Sequence, residues 1–189
     1  MDEKTQIVGY HGTSKSVTNI ILTEGFKSSE DDSHWLGDGV YMFVDGIGDV
    51  VQNAKDWAIF RSWDNLRKRY MFSHYGIIKS VIEVRDEHFL DLTSNHGIEV
   101  FNYIVYKCSD KLSNVSRNLK YIDGYVINFA RNELGLRIDV VKANEYIKLK
   151  AFERKYNINS RIPNCTICSV ANQATIKSIE LFTQGRLKS

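Results

Sequence analysis

The chain has 189 residues, of which 43% are hydrophobic and 25% charged, with a formal net charge of +2. Such a composition excludes disorder and supplies enough chain for a substantial core. The near-neutral balance gives no global field toward nucleic acid or membrane, no apolar run approaches the ~20 residues of a membrane-spanning helix, and the polar Met1-Asp2-Glu3-Lys4 start is no signal peptide.

In chain order, Gln6 to Tyr10 reads as a strand. Ser14 or Ser16 caps a helix that runs to about Glu24, with Val17, Ile20 and Ile21 on its apolar face and Gly25 as its C-cap. Lys27 to Leu36 is a polar, breaker-like loop. Val40 to Val44 forms a second strand, Asp45 to Gly48 a turn, and Val50 to Trp63 a helix. Ile77 to Val84 has strand composition. Ile98 to Cys108 and Leu119 to Leu134 read as mostly helical, with a turn predicted at Asp123-Gly124. Short strands follow at Ile138 to Val141, Thr166 to Val170 and Lys177 to Phe182. Helices and strands mix without regular alternation, which predicts a single α+β domain over the whole chain.

Two short motifs lie thirty residues apart: Tyr10-His11-Gly12-Thr13 and Gly37-Asp38-Gly39-Val40-Tyr41. Each joins a polar or aromatic side chain to glycine at a strand edge. Glycine there permits close approach of a planar or ribose-bearing ligand, histidine supplies a hydrogen-bonding ring, and tyrosine a face for stacking. Brought side by side, the two motifs are suited to grip a nicotinamide nucleoside.

These motifs, with the helix ending in Glu24-Gly25-Phe26 and with Ala54 and Trp57-Ala58 on the next helix, resemble the front half of an ADP-ribosyltransferase of the diphtheria-toxin and poly(ADP-ribose)-polymerase branch. The resemblance covers roughly residues 7–60 and returns over Thr166 to Leu181. It implies two packed antiparallel or mixed β-sheets flanked by helices. It also implies NAD as co-substrate without a metal, and cleavage of the nicotinamide–ribose bond through an oxocarbenium-like transition state related to that of glycoside hydrolysis. On this resemblance His11 bonds the ribose hydroxyls, the Gly12 backbone holds the carboxamide, and Tyr41 stacks on the nicotinamide. Thr13 and Gly39 belong to the same cofactor-binding set, with Trp57 as the second aromatic and Trp35 as a lid residue.

The family's third catalytic position is a glutamate. Counting back from Val170-Ala171-Asn172 puts it near Ile167, between Thr166 and Cys168, where nothing is acidic; Asn144-Glu145-Tyr146-Ile147 copies the glutamate motif literally at another place. Both alternatives stand, with Glu145 taken as the catalytic candidate. Lack of a glutamate at the counted position implies transfer of one ADP-ribose rather than chain elongation. A macromolecular acceptor, protein or nucleic acid, is expected, with an inhibitor or antitoxin as a further partner, no membrane, and a toxin-like or phage-defence role by analogy. A catalytically inactive NAD- or ADP-ribose-binding module is the alternative of a different class.

Other signals carry less. Gly46-Ile47-Gly48 lacks the third glycine of a dinucleotide fingerprint. Three sparse cysteines, Cys108, Cys165 and Cys168, suggest reduced thiols in the cytoplasm, and Cys165-x-x-Cys168 lacks the partners of a zinc or redox motif, so both read as buried thiols on a strand. Two basic runs, Arg67-Lys68-Arg69-Tyr70 and Lys148 to Lys155, have the composition to meet phosphates or simply to form solvated faces.

Overall fold

In the computed structural model, residues 3–28, 34–115 and 121–187 are described. Strand β1 (Lys4–Ser14) runs into helix α1 (Lys15–Glu24), and β2 (Val40–Val44) into α2 (Val50–Ser62). A two-residue ribbon, β3 (Trp63–Asp64) and β4 (Arg69–Tyr70), precedes the long strand β5 (His74–Arg85). Then follow β6 (Phe89–Asp91), α3 (Asn95–Val115), α4 (Ile122–Asn132), β7 (Val140–Glu145), α5 (Ala151–Lys155), β8 (Cys165–Val170) and β9 (Ile176–Arg186).

The local chemistry explains the boundaries. Ser14 is the α1 cap, its hydroxyl accepting from the Val17 amide at 3.2 Å, and Gly25 closes the helix at φ 82° with its N–H on the Ile21 carbonyl. Asp49 caps α2 by accepting from the amides of Val51 and Gln52. The predicted turn at Asp123-Gly124 is instead the first turn of α4. Gly124 stands there because a Cβ would overlap the His34 carbonyl, so the helix packs directly on the loop ahead of β2. The central residues 29–33 of the polar loop, the Asp31-Asp32 pair among them, lie outside the described residues.

Among the described residues, seven strands form one sheet in the order β6-β7-β8-β2-β1-β5-β9, antiparallel throughout except for the parallel β6–β7 pair. The expected pair of packed sheets is therefore a single mixed sheet plus the small β3–β4 ribbon. The reason is β2, which hydrogen-bonds β1 on one side and β8 on the other and so joins what would be two halves. Alternate residues build a core on each face. One holds Phe43, Ile77, Val141 and Ile167 with Ala54 and Ala58 of α2; the other holds Ile7, Met42, Ile78 and Cys168 with Ile21 of α1 and Phe26. All six residues of β8 are buried, so both its faces are covered, and burial pushes the Cys165 and Cys168 thiols up to about 12. A third cluster, with Ile104, Cys108, Val126 and Phe129, joins α3 to α4.

The join between β1 and β2 is short. They pair only through Gly9–Val44 and Tyr10–Phe43. Beyond that point β1 stays with β5 as far as Ser14–Tyr75, while β2 runs with β8 through Val40–Val170. The sheet thus forks between His11 and Tyr41, and the fork positions the site.

Candidate functional site

A crevice of about 590 Å³ opens in the fork and is lined by residues of both sequence motifs. Tyr10, His11, Gly12 and Thr13 come from β1, and Gly39, Val40 and Tyr41 from the start of β2. Strand alternation sends the two key rings in from opposite faces. Tyr41 shares its face with Phe43 and the α2-side core, whereas His11 packs edge-on against Phe26 of the α1-side core with ring centroids 5.4 Å apart. They meet across the fork: Nδ1 of His11 lies 2.9 Å from the Tyr41 carbonyl oxygen.

That contact assigns the tautomer. A carbonyl only accepts, so Nδ1 carries the proton and donates, and Nε2 of the neutral ring is an acceptor. Burial holds the imidazole below its usual titration range, against the smaller opposing effect of the Tyr41 carbonyl, and keeps it neutral.

Tyr41 is held from its other end. Its hydroxyl donates to the Gly37 carbonyl at 2.8 Å and accepts from the Leu36 amide at 2.6 Å. Burial pushes its ionisation well above the ordinary phenol range. Helix α4 anchors the loop that grips it: the Asn128 side-chain oxygen accepts from the Asp38 amide at 2.9 Å, and Arg131 donates to the Asp38 carbonyl at 3.0 Å. With its hydroxyl occupied and neutral, Tyr41 offers its ring rather than acid–base chemistry.

The glycines serve packing more than ligand approach. A Cβ on Gly12 would overlap the Ala54 carbonyl oxygen, so this residue lets α2 press onto β1. Gly39 has φ 149° and lies against Ser169 and the Val170 backbone. The close seat of α2 on Gly12 carries Trp57 and Arg61, one and two turns further on, to the crevice wall, where the guanidinium lies 5.8 Å from the Trp57 ring centroid. Trp35 is the hub of the aromatic rim, making edge contacts with Tyr41, Trp57 and Tyr121 at centroid distances of 6.0, 5.6 and 5.8 Å. Sequence reasoning missed Tyr121 and Arg61. Tyr121 precedes a helix with no motif around it, and Arg61 shows only as the i+4 neighbour of Trp57.

The residues proposed for the third position are spread out. Ile167 lines the crevice; Thr166 and Cys168 point to the opposite face. The Thr166 hydroxyl donates to the Asn144 side chain and accepts from the Ile47 amide, both at 2.7 Å. Glu145 ends β7 opposite Cys165, one side-chain row beyond Ile167, and is not among the lining residues. Its row lies four residues along β8 from Ser169, the partner of Tyr41, or about 13 Å. Burial, reinforced by the negative charge of Asp123, raises the Glu145 carboxyl to about 7. Among the described residues no group of His, Cys, Asp and Glu is arranged to hold a metal, and no helix is long and apolar enough to cross a membrane.

No protein-family model matches the chain. It is similar to the uncharacterized protein MJ0359 of Methanocaldococcus jannaschii, 28% identical over 197 residues, with 92% of this chain and 86% of that protein covered.

Proposed function

We propose that the crevice binds NAD and that the protein is a mono-ADP-ribosyltransferase, cleaving the nicotinamide–ribose bond and passing ADP-ribose to a macromolecular acceptor. The observation that carries this reading is the shared crevice: His11 and Tyr41, from strands that part immediately after Tyr10–Phe43, line one hollow and are bonded to each other. Its volume of about 590 Å³ suits a nucleotide-sized ligand. The neutral His11 ring provides an acceptor for a ribose hydroxyl through Nε2. Tyr41 provides a fixed aromatic face, with Trp57 and Trp35 beside it. These groups position rather than titrate, and positioning supplies up to about 7–11 kcal/mol in well-oriented systems.

One observation favours a second reading, a binding module that holds NAD without turning it over: the only acidic candidate for the third position, Glu145, stands outside the lining of the crevice. Incubation with NAD, scored for bound NAD, released nicotinamide and label left on macromolecules, separates the two. The transferase reading expects nicotinamide release that falls with His11→Ala and with Tyr41→Ala. Binding without release selects the module, and neither binding nor release defeats both.

A further inference from the structure

The two basic runs, about eighty residues apart in sequence, meet in space beside the crevice. The first comprises Arg61 at the end of α2 and Arg67, Lys68 and Arg69 of the β3–β4 ribbon, all exposed. The second holds Lys148, Lys150, Arg154, Lys155 and Arg161 around α5. Within residues 61–71 and 148–161 only Asp64 and Glu153 oppose them, so the rest of this nearly neutral chain carries more acidic than basic residues. Arg154 makes the join. Its guanidinium lies over the Phe60 ring of α2, 4.6 Å from the centroid, within electrostatic reach of Tyr70 on the ribbon, and its NH1 donates to the Lys148 and Leu149 carbonyls at 2.9 and 2.5 Å.

Aromatic rings interleave the cations. Trp63 and Tyr70 pair across the ribbon with centroids 5.2 Å apart. Phe152 and Tyr156 of the second run are 51% and 68% exposed, too open for core residues, and the Lys155 ammonium lies 5.2 Å from the centroid of the latter ring. A phosphate backbone requires such a concentration of cations, and unpaired bases require open aromatic faces. An acidic peptide would use the charge but not the rings. Arg61 belongs both to this surface and to the crevice wall, so a strand lying on the surface runs to the reaction site.

We infer that the surface formed by the β3–β4 ribbon and α5 binds single-stranded nucleic acid and presents it to the crevice as the ADP-ribose acceptor. The acceptor role rests on the function proposed above; the binding does not. In the transfer, the bond between ribose C1′ and the nicotinamide nitrogen breaks, and nicotinamide leaves neutral with the bonding pair. A bond forms from C1′ to a nucleophilic nitrogen or oxygen of the nucleic acid, whose proton passes to solvent.

Fluorescence anisotropy of the whole protein with labelled single-stranded DNA and RNA of mixed sequence, without NAD, tests the inference. Binding is expected to weaken steeply with salt. The triple variant Arg67→Ala, Lys68→Ala, Arg69→Ala lowers the slope of log affinity against log salt by about 2. On the other run, Lys155→Glu weakens binding in the same sense, and Tyr156→Ala weakens it about fivefold or more; circular dichroism checks that each variant is folded. No binding at about 50 mM salt, a preference for duplex, binding unmoved by both sets of variants, or capture only by anionic phosphatidylserine vesicles overturns the inference. Oligonucleotide binding without nicotinamide release defeats only the enzyme reading; nicotinamide release without oligonucleotide binding defeats only this one.

Discussion

The imidazole of His11 donates from Nδ1 to the main-chain carbonyl of Tyr41 at 2.9 Å, across the point where β1 and β2 separate. This bond takes the place of the strand pairing that stops at Tyr10–Phe43. It also fixes which ring nitrogen is left to accept from a ligand. Replacing His11 with Ala removes both. Nicotinamide release is expected to fall by about 100-fold or more, as when one positioned polar contact to a reacting group is lost. Far-ultraviolet circular dichroism should remain that of the wild type, because the ring lines a crevice rather than filling the core.

Tyr41→Phe separates the ring from its hydroxyl. The variant keeps the stacking face but leaves the Leu36 amide without its partner and the Gly37 carbonyl without its Tyr41 donor. A stability loss of about 1–3 kcal/mol in urea denaturation is expected, with the KM for NAD changed less than in Tyr41→Ala, which removes the ring as well.

Gly12→Ala tests the seat of α2. The added methyl meets the Ala54 carbonyl, a backbone atom that moves only with its helix. The expected cost is about 3 kcal/mol in the same denaturation measurement. Displacement of Trp57, visible as a change in near-ultraviolet circular dichroism, should accompany it.

Glu145 makes stability depend on pH. Its carboxyl is raised to about 7 in the folded chain by burial and by Asp123. The folded state therefore favours the protonated form, and stability declines as pH rises from the ordinary carboxylate range through about 7. Glu145→Gln removes that decline. Relative to wild type, the variant should gain about 1–2 kcal/mol at pH 8 compared with pH 4.5, the partly exposed position limiting the effect. Urea midpoints at the two pH values give the answer.

Much of the front of the molecule was legible. The Ser14 cap, the Gly25 stop and the Val40–Val44 strand follow from local chemistry that packing does not override. The two motifs could be read because their elements are consecutive in sequence and adjacent in space. What could not be read depends on long-range contacts. Gly124 looks like a turn residue until His34 is seen packed against it, and the bridging role of β2 requires knowing both of its partners. Tyr121 and Arg61 line the crevice beside Trp35 and Trp57, contacts that bring together residues distant in sequence or a helical turn apart. The resemblance likewise could not say that Glu145 would sit one row beyond Ile167, since its position depends on the register of β7 on β8.

The tryptophans provide the most direct test of the central claim. Trp35 and Trp57 line the crevice; Trp63, the third and last in the chain, lies outside it on the ribbon. Titration of the ¹⁵N-labelled protein with NAD, followed by heteronuclear NMR, should shift the indole N–H signals of Trp35 and Trp57 and the amide of Gly12 while leaving Trp63 in place. Shifts confined to Trp63, or no shifts at saturating NAD, would contradict it.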